Sequence, residues 1–168
     1  KETENHKPIV WGKEFSNYLI NWGGQYVNYD SNIGNNLSIN DVKSKEGMNK
    51  QAKIDFALRT PDIFETKKLI VRKTGDRFVV AKDESNLYFD TLVHGIYQNN
   101  EEFTLDYLLA ILNSKPATYL YRILHDIKGK VFAKISLDKL AAFPIPKPPS
   151  EIRIKIELFA VNLVSNLS

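Results

Sequence analysis

The chain has 168 residues, a formal net charge of +3, 43% hydrophobic and 26% charged residues, three histidines and no cysteine. That is the size of one ordinary domain, able to bury about two-thirds of its unfolded surface without a disulfide or structural metal. Missing thiols exclude disulfide scaffolds, thiolate zinc sites and cysteine nucleophiles, and no apolar run approaches the ~20 residues that span a bilayer.

The N-terminus, Lys1-Glu2-Thr3-Glu4, is charged, with no signal-peptide core and no initiator methionine. The expectation is a soluble intracellular piece of a larger chain. Its charge is unevenly spread. Residues 1–42 are net −2, residues 43–82 are net +6 with eleven basic and five acidic side chains, and residues 83–150 are net −1. The basic stretch is either a solvated face or a surface for polyanions, whose counterions each neutralised phosphate releases.

In chain order, Tyr26, Asn28 and Asp30 alternate with Val27 and Tyr29 as in a short strand. Residues 31–50 are polar and aperiodic, which reads as a long loop of the kind that is either functional or disordered. Lys68–Lys73 and Arg77–Lys82 are β-branched runs flanking Thr74-Gly75-Asp76, which predicts a hairpin with Gly75 at a positive-φ position. Asn86–Val93 reads as a further single strand ending near His94-Gly95.

Helical periodicity begins at Leu105, Leu108, Leu109, Ile111 and Leu112, with Thr104 as N-cap. Pro116 opens a second helix whose apolar stripe is Tyr119, Leu120, Ile123 and Leu124. The break at Asn113-Ser114-Lys115 gives a helical hairpin or one kinked helix. A strand-like Val131–Ile135 leads into Leu137–Ala142, and Pro144–Pro149 ends regular structure. A last amphipathic helix follows, with Ile152, Ile156, Phe159, Leu163 and Leu167 on one face. Strands first and helices last make the class α+β.

Reactive groups do not converge. His6, His94 and His125 are scattered without ligand spacing, His94 suits a turn, and no phosphate-binding glycine loop is present. Pro61-Asp62-Ile63-Phe64-Glu65-Thr66-Lys67 holds the letters of a metal-dependent PD-ExK nuclease, in which two carboxylates hold Mg²⁺ and a lysine assists water. There the acids sit on neighbouring strands, for which Asp62 and Glu65 are too close, so Pro61-Asp62 reads better as a turn.

Several landmarks nevertheless fall into a familiar order: Gly12–Tyr18, Tyr26–Asp30, Lys68–Arg77, Leu108–Lys115, Tyr119–Arg122 and Leu140–Pro146. Together they resemble the TaqI-like C-terminal specificity domain of adenine-N6 DNA methyltransferases in restriction–modification systems, over about Trp11 to Pro149. The resemblance implies a β-rich, twisted N-terminal portion followed by an α-helical hairpin. It also implies a module that packs beside a methyltransferase domain, in the same polypeptide or complex, and closes a cleft on double-stranded DNA while the catalytic domain flips out the adenine. S-adenosylmethionine would belong to that absent domain. The chain itself has neither an NPPY-type tetrapeptide nor a glycine-rich cofactor loop, so it would have no cofactor, no catalytic residue and no metal of its own. The setting implied is a bacterial or archaeal cytoplasm, away from membranes.

The expected division is a recognition domain over 1–149, with strands over about 9–98 and the hairpin helices over about 104–126, and a truncated C-terminal helix over 150–168. The resemblance supplies no base-reading residues, so the candidates come from charge alone. Lys67, Lys68, Arg72, Lys73 and Arg77 are the hairpin set, and Lys43, Lys45, Lys50 and Lys53 the loop set for phosphates. Arg72 is the choice for a base edge, since a guanidinium bonds guanine bidentately. In the leading reading the methyltransferase can be one fused to an endonuclease. Two alternatives stay open: a metal-dependent nuclease on Asp62, Glu65 and Lys67, and a protein-interaction module without a nucleic-acid role, using the helical hairpin and last helix.

Overall fold

A computed structural model describes residues 5–30, 59–99, 102–126 and 133–167. The described strands are β1 (His6–Val10), β2 (Tyr26–Asn28), β3 (Lys68–Arg72), β4 (Val80–Asp83), β5 (Tyr88–Phe89) and β6 (Val93–Ile96). The helices are α1 (Leu105–Leu112), α2 (Lys115–Leu124), α3 (Leu137–Ala141) and α4 (Ser150–Leu167). This is the α+β order expected from the sequence. No described helix is long and apolar enough to cross a membrane.

Among the described residues, two three-stranded sheets form, in the orders β2-β1-β5 and β4-β3-β6. β1 pairs antiparallel with β2 and parallel with β5. β3 pairs antiparallel with both neighbours, setting Lys68 opposite Asp83 and Val71 opposite both Val80 and His94. Because side chains alternate along a strand, β3 serves two cores at once. Leu69 and Val71 pack with Phe78, Leu109, Leu112 and Tyr121 on the helical side. Ile70 faces the other way, onto Val10, Phe15, Leu87 and Val93. A third cluster joins Ile9, Phe64 and Tyr88, where Phe64 stacks on Tyr88 at 4.4 Å between ring centroids.

One buried ion pair fixes the β3–β4 register. The side chains of Lys68 and Asp83 are both fully buried. Lys68 Nζ donates to Asp83 Oδ2 and to the Phe64 carbonyl. Asp83 also accepts the backbone N–H groups of Ser85 and Leu87. Burial pulls the Lys68 pKa below its ordinary value, and the Asp83 carboxylate works against that pull.

Four expectations are corrected. The hairpin exists, with Arg72 N–H bonded to Val79 O at 3.0 Å, but its regular strands end at Arg72 and begin again at Val80, and Lys73–Gly75 bonds a distant segment. Ile135 N–H donates to Lys73 O and Gly75 N–H to Ala133 O, with a bridge between Thr74 and Lys134. Gly75 does take a positive φ, of 137°. The expected single strand over Asn86–Val93 is two strands in different sheets, split where Asp90 Oδ1 accepts the Leu92 N–H.

The other two concern helical faces. The break after α1 yields two helices, with Thr104 capping α1 through Tyr107 N–H and Ser114 capping α2 through Ala117 N–H. Yet α2 is rotated from expectation. Ala117 and Tyr121 are its buried residues, while Tyr119, Ile123 and Leu124 are at least half exposed. On that inner face Tyr121 packs against Phe78 at 4.6 Å between ring centroids, while Arg122 beside it pairs with Asp76 at the surface. In α4 the residue turned fully inward is Ala160, with Val164 packed on the core. Ile152, Phe159 and Leu167 of the expected stripe are exposed. The loop over 31–50 and residues Val131 and Phe132 lie outside the described residues.

Removing one member of a buried ion pair strands its partner, at a cost of about 3–5 kcal/mol. Lys68→Ala is therefore expected to lower the urea midpoint by that equivalent with the denaturant slope unchanged. In contrast, the buried Tyr121 hydroxyl has no hydrogen-bond partner among the described residues. Tyr121→Phe should raise the unfolding free energy by about 1 kcal/mol in the same titration.

Candidate nucleic-acid interface

The end of the hairpin that carries Arg72 adjoins a turn from the N-terminal segment. Trp11 N–H donates to Glu14 Oε2 at 2.8 Å, and Glu14 N–H returns to Trp11 O at 2.9 Å. From β3, Arg72 Nε donates to Gly12 O at 2.6 Å, and its Nη2 donates to Phe15 O. The guanidinium lies 5.6 Å from the centroid of the buried Phe15 ring, a cation–π contact. Beside this turn opens a recess of ≈ 490 Å³, lined among others by Trp11, Lys13, Gln25, Arg72, Thr74 and Asp90.

The structure divides the nominated hairpin residues between the two ends of β3. Arg72, Lys73 and Arg77 lie at the recess end. Lys73 is half-buried, with Nζ donating to Thr91 O at 3.2 Å, and Arg77 is exposed. Burial and then the neighbouring Arg77 charge lower the Arg72 pKa from its ordinary value. A guanidinium stays protonated regardless, so these like charges make a locally positive surface.

Lys67 and Lys68 lie at the opposite end, roughly 16 Å away at the rise of a strand. Lys67 is exposed and pairs with Glu84 at 3.1 Å. Lys68 is enclosed with Asp83 and has no path for its ammonium to reach a phosphate. It is corrected here from a surface candidate to a framework residue. Arg72 also differs from expectation, since two of its five N–H donors already hold the Gly12–Phe15 turn. Lys43, Lys45, Lys50 and Lys53 lie outside the described residues.

Lys13 was not among the candidates, although it is exposed at the tip of the clamped turn and lines the recess. Its segment is net acidic, so charge counting passes over it. The signal that places it is the contact between Arg72 and the turn, which joins residues sixty positions apart.

The nuclease letters do not assemble. Pro61–Ile63 forms a 3₁₀ turn with Asp62 exposed. Glu65 accepts from Lys7 Nζ at 2.8 Å and from the Tyr88 hydroxyl at 2.7 Å, while Lys67 turns to Glu84. Among the described residues, no three His, Asp or Glu side chains gather as a metal site would require. His94 Nε2 is 2.8 Å from Ile135 O, a packing role.

Across the molecule, α1, α2, the proline segment and α4 border an apolar groove of ≈ 630 Å³ that includes Ile111, Leu120, Phe143, Pro146, Ile156 and Phe159.

Residues 7–145 match the family model of the TaqI-like C-terminal specificity domain. The matched span includes the recess, both sheets and the first three helices, and stops before α4. A search of curated proteins finds no match to the chain.

The Glu65 contacts carry a pH signature. The Lys7 hydrogen bond first, then that of Tyr88, lowers its pKa from the ordinary glutamate value. A carboxylate depressed by folding stabilises above its unfolded pKa, and that contribution is lost as pH falls through the folded value. The stability gap between wild type and Glu65→Gln is thus expected to be open at neutral pH. It should close on acidification below the ordinary glutamate range, as measured by thermal midpoints across pH.

Proposed function

The chain belongs to the TaqI-like C-terminal specificity domain family, and on that premise we propose that it is a DNA target-recognition module of a restriction–modification system. The reading has it supply sequence selectivity to an adenine-N6 methyltransferase, joined to it in one polypeptide or complex, in the cytoplasm. Catalysis and S-adenosylmethionine belong to the partner domain. An endonuclease, if the system fuses one to the methyltransferase, likewise lies outside this chain.

The observation that carries this reading is the family match over residues 7–145. The recess end of the hairpin supports it, since Lys13 and Arg72 line the recess from two segments of chain, and Lys73 and the exposed Arg77 stand on the adjoining connection, with the Arg77 charge near Arg72. Among the described residues, no ion pair neutralises Lys13, Lys73 or Arg77. Exposed cations at one edge place phosphates, and polar groups such as Gln25 and Thr74 stand beside them to meet base edges. The nuclease alternative has no such support. Of the interaction alternative, one part is kept: exposed Tyr119, Ile123 and Leu124 on α2 and Leu158 and Phe159 on α4 offer a catalytic domain an apolar surface to pack against.

Duplex binding should weaken linearly with the logarithm of salt concentration, with a slope of about −0.9 for each phosphate contacted. Lys73→Ala with Arg77→Ala is expected to flatten that slope by about two contacts. Selection by the chain from a randomised duplex library should enrich one sequence pattern. Salt-independent binding, or a library returned without enrichment, would overturn the reading.

A further inference from the structure

The recess at the hairpin end has one wall that is held from beneath. Lys13 sits between two residues whose carbonyls are both anchored by Arg72, at Gly12 O and Phe15 O. Glu14 closes the same turn through the Trp11 N–H, and Asn21 N–H donates to Glu14 O at 2.7 Å. Phe15 is buried in the core and under the guanidinium. The backbone on both sides of Lys13 is therefore fixed, while its own side chain is exposed and makes no ion pair among the described residues.

That combination suits contact with an anion. A cation on a pre-ordered turn loses less conformational entropy on binding than one on a loose segment. Asp90 also lines the recess, and its Oδ1 accepts the Leu92 N–H. A carboxylate disfavours an anion beside it, so Lys13 rather than the Asp90 surroundings is where a phosphate would be favoured.

We propose that this recess seats a phosphate of the DNA backbone, with Lys13 as the contacting residue and Arg72 as the positioning residue that acts through it. The inference rests on the DNA-binding reading and deepens it. It also separates two roles that charge alone confuses. Arg72 is the more conspicuous cation, but its fork is turned inward onto two carbonyls, and the turn it holds presents the charge.

The test is the salt slope for binding a mixed-sequence DNA duplex, measured on the full 168-residue chain. Lys13→Ala should reduce the slope by about 0.9, the value of one phosphate contact. Arg72→Ala should reduce it equally, and the double variant should lose no more than either single one. Arg72→Lys keeps the charge but lacks the planar fork that spans two carbonyls. It should therefore behave like Arg72→Ala, and it supplies the test where the alanine variant does not fold. A purely structural loss lowers the folded fraction at every salt concentration and leaves the slope intact. The inference falls alone if the wild-type slope is normal and either Lys13→Ala leaves it unchanged, Arg72→Lys preserves it, or the two losses add. If the wild-type chain shows no salt-dependent binding, the DNA reading falls and takes this inference with it.

Discussion

The buried pairing of Lys68 with Asp83 is the constraint on which the rest of the fold depends. Two opposite charges are enclosed where β3 meets β4, and desolvation alone would make such a site unfavourable. It is tolerable because the charges have further partners. The ammonium also reaches the Phe64 carbonyl, and the carboxylate receives the Ser85 and Leu87 amides. These bonds tie the approach to β3, the hairpin itself and the approach to β5 to a single point. A one-residue slip of β4 would separate the charges and turn Val80 away from the helical core.

With that register set, β3 is covered on both faces. Its apolar residues are divided between a helical core and a core shared with β1, so little of the sheet surface is left for a ligand. Contact with a large partner must be made at strand ends and on connecting segments. The recess lies at such an end, where Arg72 leaves the sheet and meets the turn after β1. The rigid interior thus positions a polar rim, the usual relation between a scaffold and the loops that act.

Much of this was legible in the residues. β-Branched runs announced β3 and β4, Thr104 announced the start of α1, and the order of landmarks pointed to the family later matched over 7–145. What could not be read were choices settled by distant segments. The hairpin connection is longer than expected, and Lys73 and Gly75 within it bond Ile135 and Ala133, partners some sixty residues away that local sequence does not announce. α2 has two apolar faces, one small-and-aromatic through Ala117 and Tyr121, the other broad through Tyr119, Ile123 and Leu124. Periodicity finds both faces and cannot say which one Phe78 will meet. For the site, charge density located the hairpin, but it could not tell an enclosed lysine, Lys68, from an exposed one, Lys67. Nor could it give weight to Lys13 in an acidic segment.

One small contact has a wider consequence. The Asn113 side chain accepts the Val80 N–H at 3.0 Å and donates to the Val80 carbonyl at 2.9 Å, and Tyr18 N–H bonds that same carbonyl. A side-chain amide here occupies both backbone groups of an outer strand, as a neighbouring strand would. Among the described strands, β4 is the last on its side of the sheet, and an open strand edge is a template for joining another chain. By mimicking a peptide unit at the end of α1, Asn113 closes that template at Val80. The helical hairpin thereby does more than cover a core: through one side chain it takes up the outer hydrogen-bonding groups of the strand at Val80.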